Sequence, residues 1–152
     1  MSVRSYTKIW LHLIWGTHNR EKSLNNKELR KKLSEYLFNY AIEKKIFMKV
    51  NYVNSDHVHS LIDLPTDKTI AETLQLIKGA SSYWINQQVE YKFTWAKGYA
   101  AFSVSESNLK KVVNYILNQE EHHHKKSFTE EYEEFLDKHN FLLSDSKNSV
   151  NG

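Results

Sequence analysis

The order strand, helix, strand, strand, helix, strand predicts an α+β fold: a ferredoxin-like split βαβ (RRM-like) antiparallel sheet, helices on one face, and an appended C-terminal helix. Three observations carry this. Four short segments rich in β-branched and aromatic residues read as strands, two longer ones between them show helical spacing, and a tight turn at Asn54–Asp56 folds the middle strands into a hairpin. At 152 residues the chain suits one domain spanning 1–152, with 143–152 read as a frayed tail.

Tyr6–Thr17 reads as the first strand, with Ile9, Leu11, Leu13 and Trp15 on one face and Trp10, His12 and Ile14 on the other. Asn19–Lys22 is a turn. Asn25 or Asn26 can cap a helix running to about Lys45, with Leu29, Leu33, Tyr36, Leu37, Tyr40 and Ala41 at helical spacing. Ile46–Val53 and His57–Leu64 form the hairpin, and Pro65 ends it. A second helix follows from about Thr69 to Val89, burying Ile70, Leu74, Ile77 and Trp84. Tyr91–Tyr99 is a loop anchored by Phe93 and Trp95, and Ala101–Ser105 is the last strand. Ser107 or Asn108 caps a helix to about His124, which is the natural cover for the second face of the sheet or else reaches to a partner. Phe128–Lys138 is a short acidic helix.

Composition narrows the function. There is no cysteine, which excludes disulfide scaffolds, thiol catalysis and Cys-ligated metal sites, and fits a cytoplasmic location. A mean hydropathy of −0.64 and the absence of a long apolar run predict neither a membrane span nor a signal peptide. The net charge of +3 is unevenly spread: residues 1–111 carry an excess of seven positive charges and residues 112–152 an excess of four negative ones. The basic part could face phosphates, or it could be an ordinary solvated surface.

Two residue groups could carry chemistry. His57 and His59 stand two apart on a strand, so their rings share a face and could share one divalent ion. Two ligands do not complete a site, and hydrogen-bonded sheet histidines are the plain alternative. On the helix after Ser107, residues Lys111, Gln119 and His122 fall within about 40° of Tyr115 at 100° per residue. Gln119 can offer a neutral oxygen and Tyr115 a phenol. Beside an ion that polarises a phosphate, the phenol becomes a candidate nucleophile; a wet helix tyrosine is the alternative.

The segments WGTHNR (15–20), DHVHSLIDLP (56–65), LIKGASSYWIN (76–86), WAKGYAAFSVSES (95–107) and VVNYILNQEEHH (112–123), in this order, resemble the IS200/IS605-type single-tyrosine (Y1) transposases of the HUH nuclease superfamily. The resemblance covers roughly residues 5–136. It implies that His57, His59 and Gln119 hold a divalent metal, Mg²⁺ or Mn²⁺, that Tyr115 is the nucleophile, and that no nucleotide cofactor is needed. It further implies a single-stranded DNA substrate with subterminal hairpins, a 5′-phosphotyrosine intermediate, and a homodimer that can have composite active sites. Arg20, Lys78, Lys110 and Lys111, with Lys22, are the expected phosphate contacts, and Trp10, Trp95 and Tyr99 could stack on bases if exposed. His122 could touch DNA or relay a proton. A domesticated relative that processes repeated palindromic hairpins would use the same residues. A non-catalytic single-stranded nucleic-acid-binding dimer is the remaining alternative.

Overall fold

A computed structural model describes residues 5–120 and 126–139. The chain forms two compact units, Met1–Gln119 and Glu120–Gly152. The first holds β1 (Trp10–Gly16), α1 (Lys27–Glu43), β2 (Phe47–Val53), β3 (His57–Asp63), α2 (Ile70–Gln88), β4 (Ala100–Val104) and α3 (Leu109–Leu117). In the second, α4 (Phe128–Lys138) is capped by the Ser127 hydroxyl, which accepts the Glu130 N–H, and Phe128 stacks on Tyr132. No helix among the described residues is long and apolar enough to cross a membrane.

The four strands lie in the order β2-β3-β1-β4, every pair antiparallel, as the split βαβ plan requires. Both long helices start close to where the sequence begins them, and each has a side-chain cap. The Asn26 side chain accepts the Leu29 N–H at 3.0 Å, and the Thr69 hydroxyl accepts the Glu72 N–H at 3.0 Å. Leu33, Leu37 and Ala41 of α1 and Leu74, Ile77 and Ile85 of α2 bury against Leu11, Leu13, Trp15, Val58 and Ile62 of the sheet, which makes the main core. Trp84 packs against this core but is only half-buried, stacking on Tyr36 with ring centroids 5.1 Å apart, while Ser81 and Ile85 take the fully buried places.

The opposite face carries a smaller apolar cluster. Trp10, Val50 and Leu61 meet Ile116 of α3, with Leu109, Val112, Val113 and Tyr115 half-buried around them. So α3 does cover the second face. Its start and end differ from expectation, however. A 3₁₀ turn at Glu106–Asn108 precedes it, neither Ser107 nor Asn108 supplies a side-chain cap, and the helix stops at Leu117 because Asn118 leaves helical geometry (φ −98°, ψ 24°). Helix resumes at Gln119 and Glu120; the rest of the stretch expected to run to His124, including His122, lies outside the described residues.

The loop after α2 is pinned from both ends. Asn86 takes the Phe93 N–H and donates to its carbonyl, and Trp95 bridges Thr17 at the end of β1. Phe93 and Trp95 are buried, as the anchoring role predicts.

Candidate metal and tyrosine site

Alternation along β3 turns His57, His59 and Leu61 away from the main core, toward α3. Neighbouring strands then supply partners. His59 is paired with Ile14 on β1 and Tyr52 on β2, so His12, two residues before Ile14, reaches it diagonally. His12 Nε2 and His59 Nδ1 are 2.8 Å apart, and both rings are buried. His57 Nδ1 lies 2.7 Å from the Asp56 carboxylate. One ring nitrogen of His57 and one of His59 lie within 4.8 Å of each other.

Asp56 is itself fixed. Its carbonyl accepts the Thr17 N–H at 2.9 Å, and the Thr17 hydroxyl sits 3.2 Å from that carbonyl and 2.6 Å from the Glu21 carbonyl. The segment WGTHNR therefore braces the first residue of DHVHSLIDLP. Within it Asn19 and Arg20 both take left-handed backbone (φ 54° and 56°), which is uncommon for residues other than glycine, and the Arg20 side chain is exposed.

Gln119 comes to the same place from just beyond α3, where helix resumes after Asn118. Its side chain is buried, and its Oε1 accepts from Asn54 Nδ2 at 3.4 Å. That same amide nitrogen lies 3.1 Å from His57 Nε2. Asn54 can donate there only if Nε2 carries the lone pair, so Nδ1 holds the proton and donates it to Asp56. His57 Nε2 and Gln119 Oε1 thus both turn toward one electropositive N–H group. Two imidazoles and an amide oxygen fit a divalent ion, as a neutral donor set that suits Mn²⁺ or a heavier ion at least as well as Mg²⁺.

Tyr115, one turn before Gln119, is half-buried, with its ring centroid 6.0 Å from that of His59 and 6.4 Å from that of His12. The structure therefore brings together His57, His59, Tyr115 and Gln119. In the sequence His12 stands out only as a strand residue and Asn54 only as part of a turn. A histidine on the outward face of the strand adjoining β3 was the available signal for His12, but it required the strand order and register.

The expected DNA contacts are scattered. Arg20, Lys110 and Lys111 are exposed. Lys78 donates to the carbonyls of Ala96, Lys97 and Gly98 at 2.8, 3.1 and 3.2 Å, and burial pushes its ammonium below the usual lysine range. It holds the loop before β4, along a groove of about 400 Å³ that Tyr99 also lines. Trp10 and Trp95 are both 6% exposed, so neither can stack on a base. The Trp10 N–H donates to the Glu106 carboxylate at 2.7 Å and its ring is edged by Phe47. Trp95 packs on Trp15 and Phe93. Tyr99 keeps an exposed ring.

Comparison with known proteins follows the same lines. The family described as Transposase IS200 like matches residues 5–119. A crystal structure of a candidate transposase from Deinococcus radiodurans R1 is similar at 26% identity and a TM-score of 0.62, over 78% of this chain and 97% of that one. A REP-associated tyrosine transposase bound to a REP hairpin shares the fold at 16% identity and a TM-score of 0.60, over 81% of this chain and 73% of that one. No curated protein sequence matches.

Proposed function

Because the chain belongs to the IS200-like transposases, we propose that it cuts and rejoins single-stranded DNA through a covalent 5′-phosphotyrosine at Tyr115. The observation that carries the reading is the convergence of His57 Nε2 and Gln119 Oε1 on one N–H group, with the Tyr115 ring beside His59 on the same face. His57, His59 and Gln119 would hold Mg²⁺ or Mn²⁺, which when bound supplies positive charge against the phosphate. The Tyr115 oxygen forms a bond to phosphorus as the bond to the 3′ oxygen breaks. The phenol gives up its proton and the departing oxygen takes one, leaving a 3′-OH. The reverse step, with the 3′-OH of a second strand, rejoins DNA and frees Tyr115. Each exchange trades one phosphoester for another, so no nucleotide cofactor is required.

The proposed substrate is single-stranded DNA with subterminal hairpins, and the hairpin bound by the REP-associated neighbour makes such strands the first to try. Strands already single avoid the cost of unpairing a duplex. Arg20, Lys110 and Lys111 would meet phosphates directly, while Lys78 would act by shaping its loop. A homodimer joined at a sheet edge would bury one of the two edges that an open four-stranded sheet leaves.

The test is a denaturing gel of the protein with Mn²⁺ or Mg²⁺ and labelled strands tiled from the flanks of its own gene. We expect a metal-dependent covalent band that is lost in Tyr115→Phe and in His57→Ala. Tight hairpin binding with no band under any divalent ion would overturn the catalytic reading in favour of a binding module.

A further inference from the structure

The two histidines among the proposed metal ligands are supported by chemically different partners. His57 leans on a carboxylate, whereas His59 leans on a second imidazole, His12, through a 2.8 Å contact between buried rings. We infer that His12 is the positioning residue for His59, accepting the His59 Nδ1–H on its own Nε2 and so leaving the His59 lone pair on Nε2, where an ion would be held. The inference rests on the metal reading above.

The contact gives two choices. Between two ring nitrogens 2.8 Å apart there is room for one proton. If His12 Nε2 carried it, His59 Nδ1 would be the acceptor, and the neutral His59 ring would bear its own proton on Nε2, where it could not ligate. If His59 Nδ1 carries it, Nε2 is the basic atom, the tautomer that the Asp56 and Asn54 contacts assign to His57. The surroundings hold His12 in place for this. Its strand position opposite Leu61 sets it diagonal to His59, and Phe102 edges its ring from β4 with centroids 6.5 Å apart.

The experiment measures Mn²⁺ affinity of the full chain by calorimetry in wild type, His12→Phe and His12→Gln. Phenylalanine keeps ring volume without an acceptor, and glutamine restores an acceptor oxygen. We expect the Kd to rise about 10–100-fold in His12→Phe and most of that loss to be recovered in His12→Gln. An unchanged Kd in a folded His12→Phe overturns the role of His12, as does a glutamine variant that is folded and as weak as the phenylalanine one. Imidazole ¹⁵N spectra of the Zn²⁺-loaded wild type decide the matter even if His12→Phe does not fold. A protonated His59 Nδ1 is expected, and a metallated Nδ1 overturns the assignment. Failure of the wild type to bind Mn²⁺ would overturn the metal reading itself, whereas wild-type affinity in His12→Phe removes His12 alone.

Discussion

Asp56 holds the Nδ1 proton of His57 while its own backbone carbonyl is held by Thr17. A carboxylate in that position raises the basicity of the opposite ring nitrogen as well as orienting it. Asp56→Asn keeps a carbonyl acceptor but removes the charge. It should weaken Mn²⁺ binding by about tenfold in a calorimetric titration, with the melting temperature close to wild type. Arg20 offers a second single-residue case. Its left-handed backbone costs on the order of 1 kcal/mol that glycine would avoid, offset in part by the chain entropy glycine brings to the unfolded state. Glycine relieves that strain while giving up the arginine's own contacts, so Arg20→Gly should melt near wild type. It should still bind single-stranded DNA more weakly at low salt, with a salt dependence shallower by about one phosphate contact. A variant that lost stability and kept its DNA affinity would contradict both halves of that expectation.

Among the elements, α3 is nine residues long, and Ile116 is its one fully buried side chain among the described residues. So short a helix is marginal alone in water and depends on docking to the sheet. Ile116→Ala should cost about 2–5 kcal/mol, felt first in the docking of α3. Covalent adduct yield should then fall more steeply than the bulk melting temperature. Much of this architecture was legible in the chain, because Asn26 and Thr69 are strong caps and Pro65 a strong stop. The end of α3 was not, since nothing local to Asn118 announces a break and the polar stripe continues past it. Helical spacing puts Trp84 on the buried side of α2, and it does pack against the core, but its large ring is only half-covered there and stacks on Tyr36. In the site, His57, His59, Tyr115 and Gln119 stand in recognisable motifs. His12 and Asn54 matter through strand order and side-chain geometry, which no short window of sequence contains.

For the whole molecule, the sheet divides its labour by face: the larger core under α1 and α2 holds the fold, and the smaller cluster under α3 frames the site. Leu13→Ala, on the first face, should lower stability by about 2–5 kcal/mol while the folded protein keeps its wild-type Mn²⁺ affinity. A drop in affinity would show that the faces are coupled. Sedimentation of the proposed dimer should give about twice the 18.0 kDa chain mass. The same alternation makes the chain intolerant of changes in its length near the site. Val58, Ser60 and Ile62 face the helices, and His57, His59 and Leu61 face the tyrosine. Removing a single codon from the turn at residues 54–56, with the strand pairing kept, would exchange the two sets. Both imidazoles would be driven in among leucines, and Val58 and Ser60 would be left before Tyr115. A gene copy that loses three nucleotides there would forfeit fold and chemistry in one event, although no residue of either set had been altered.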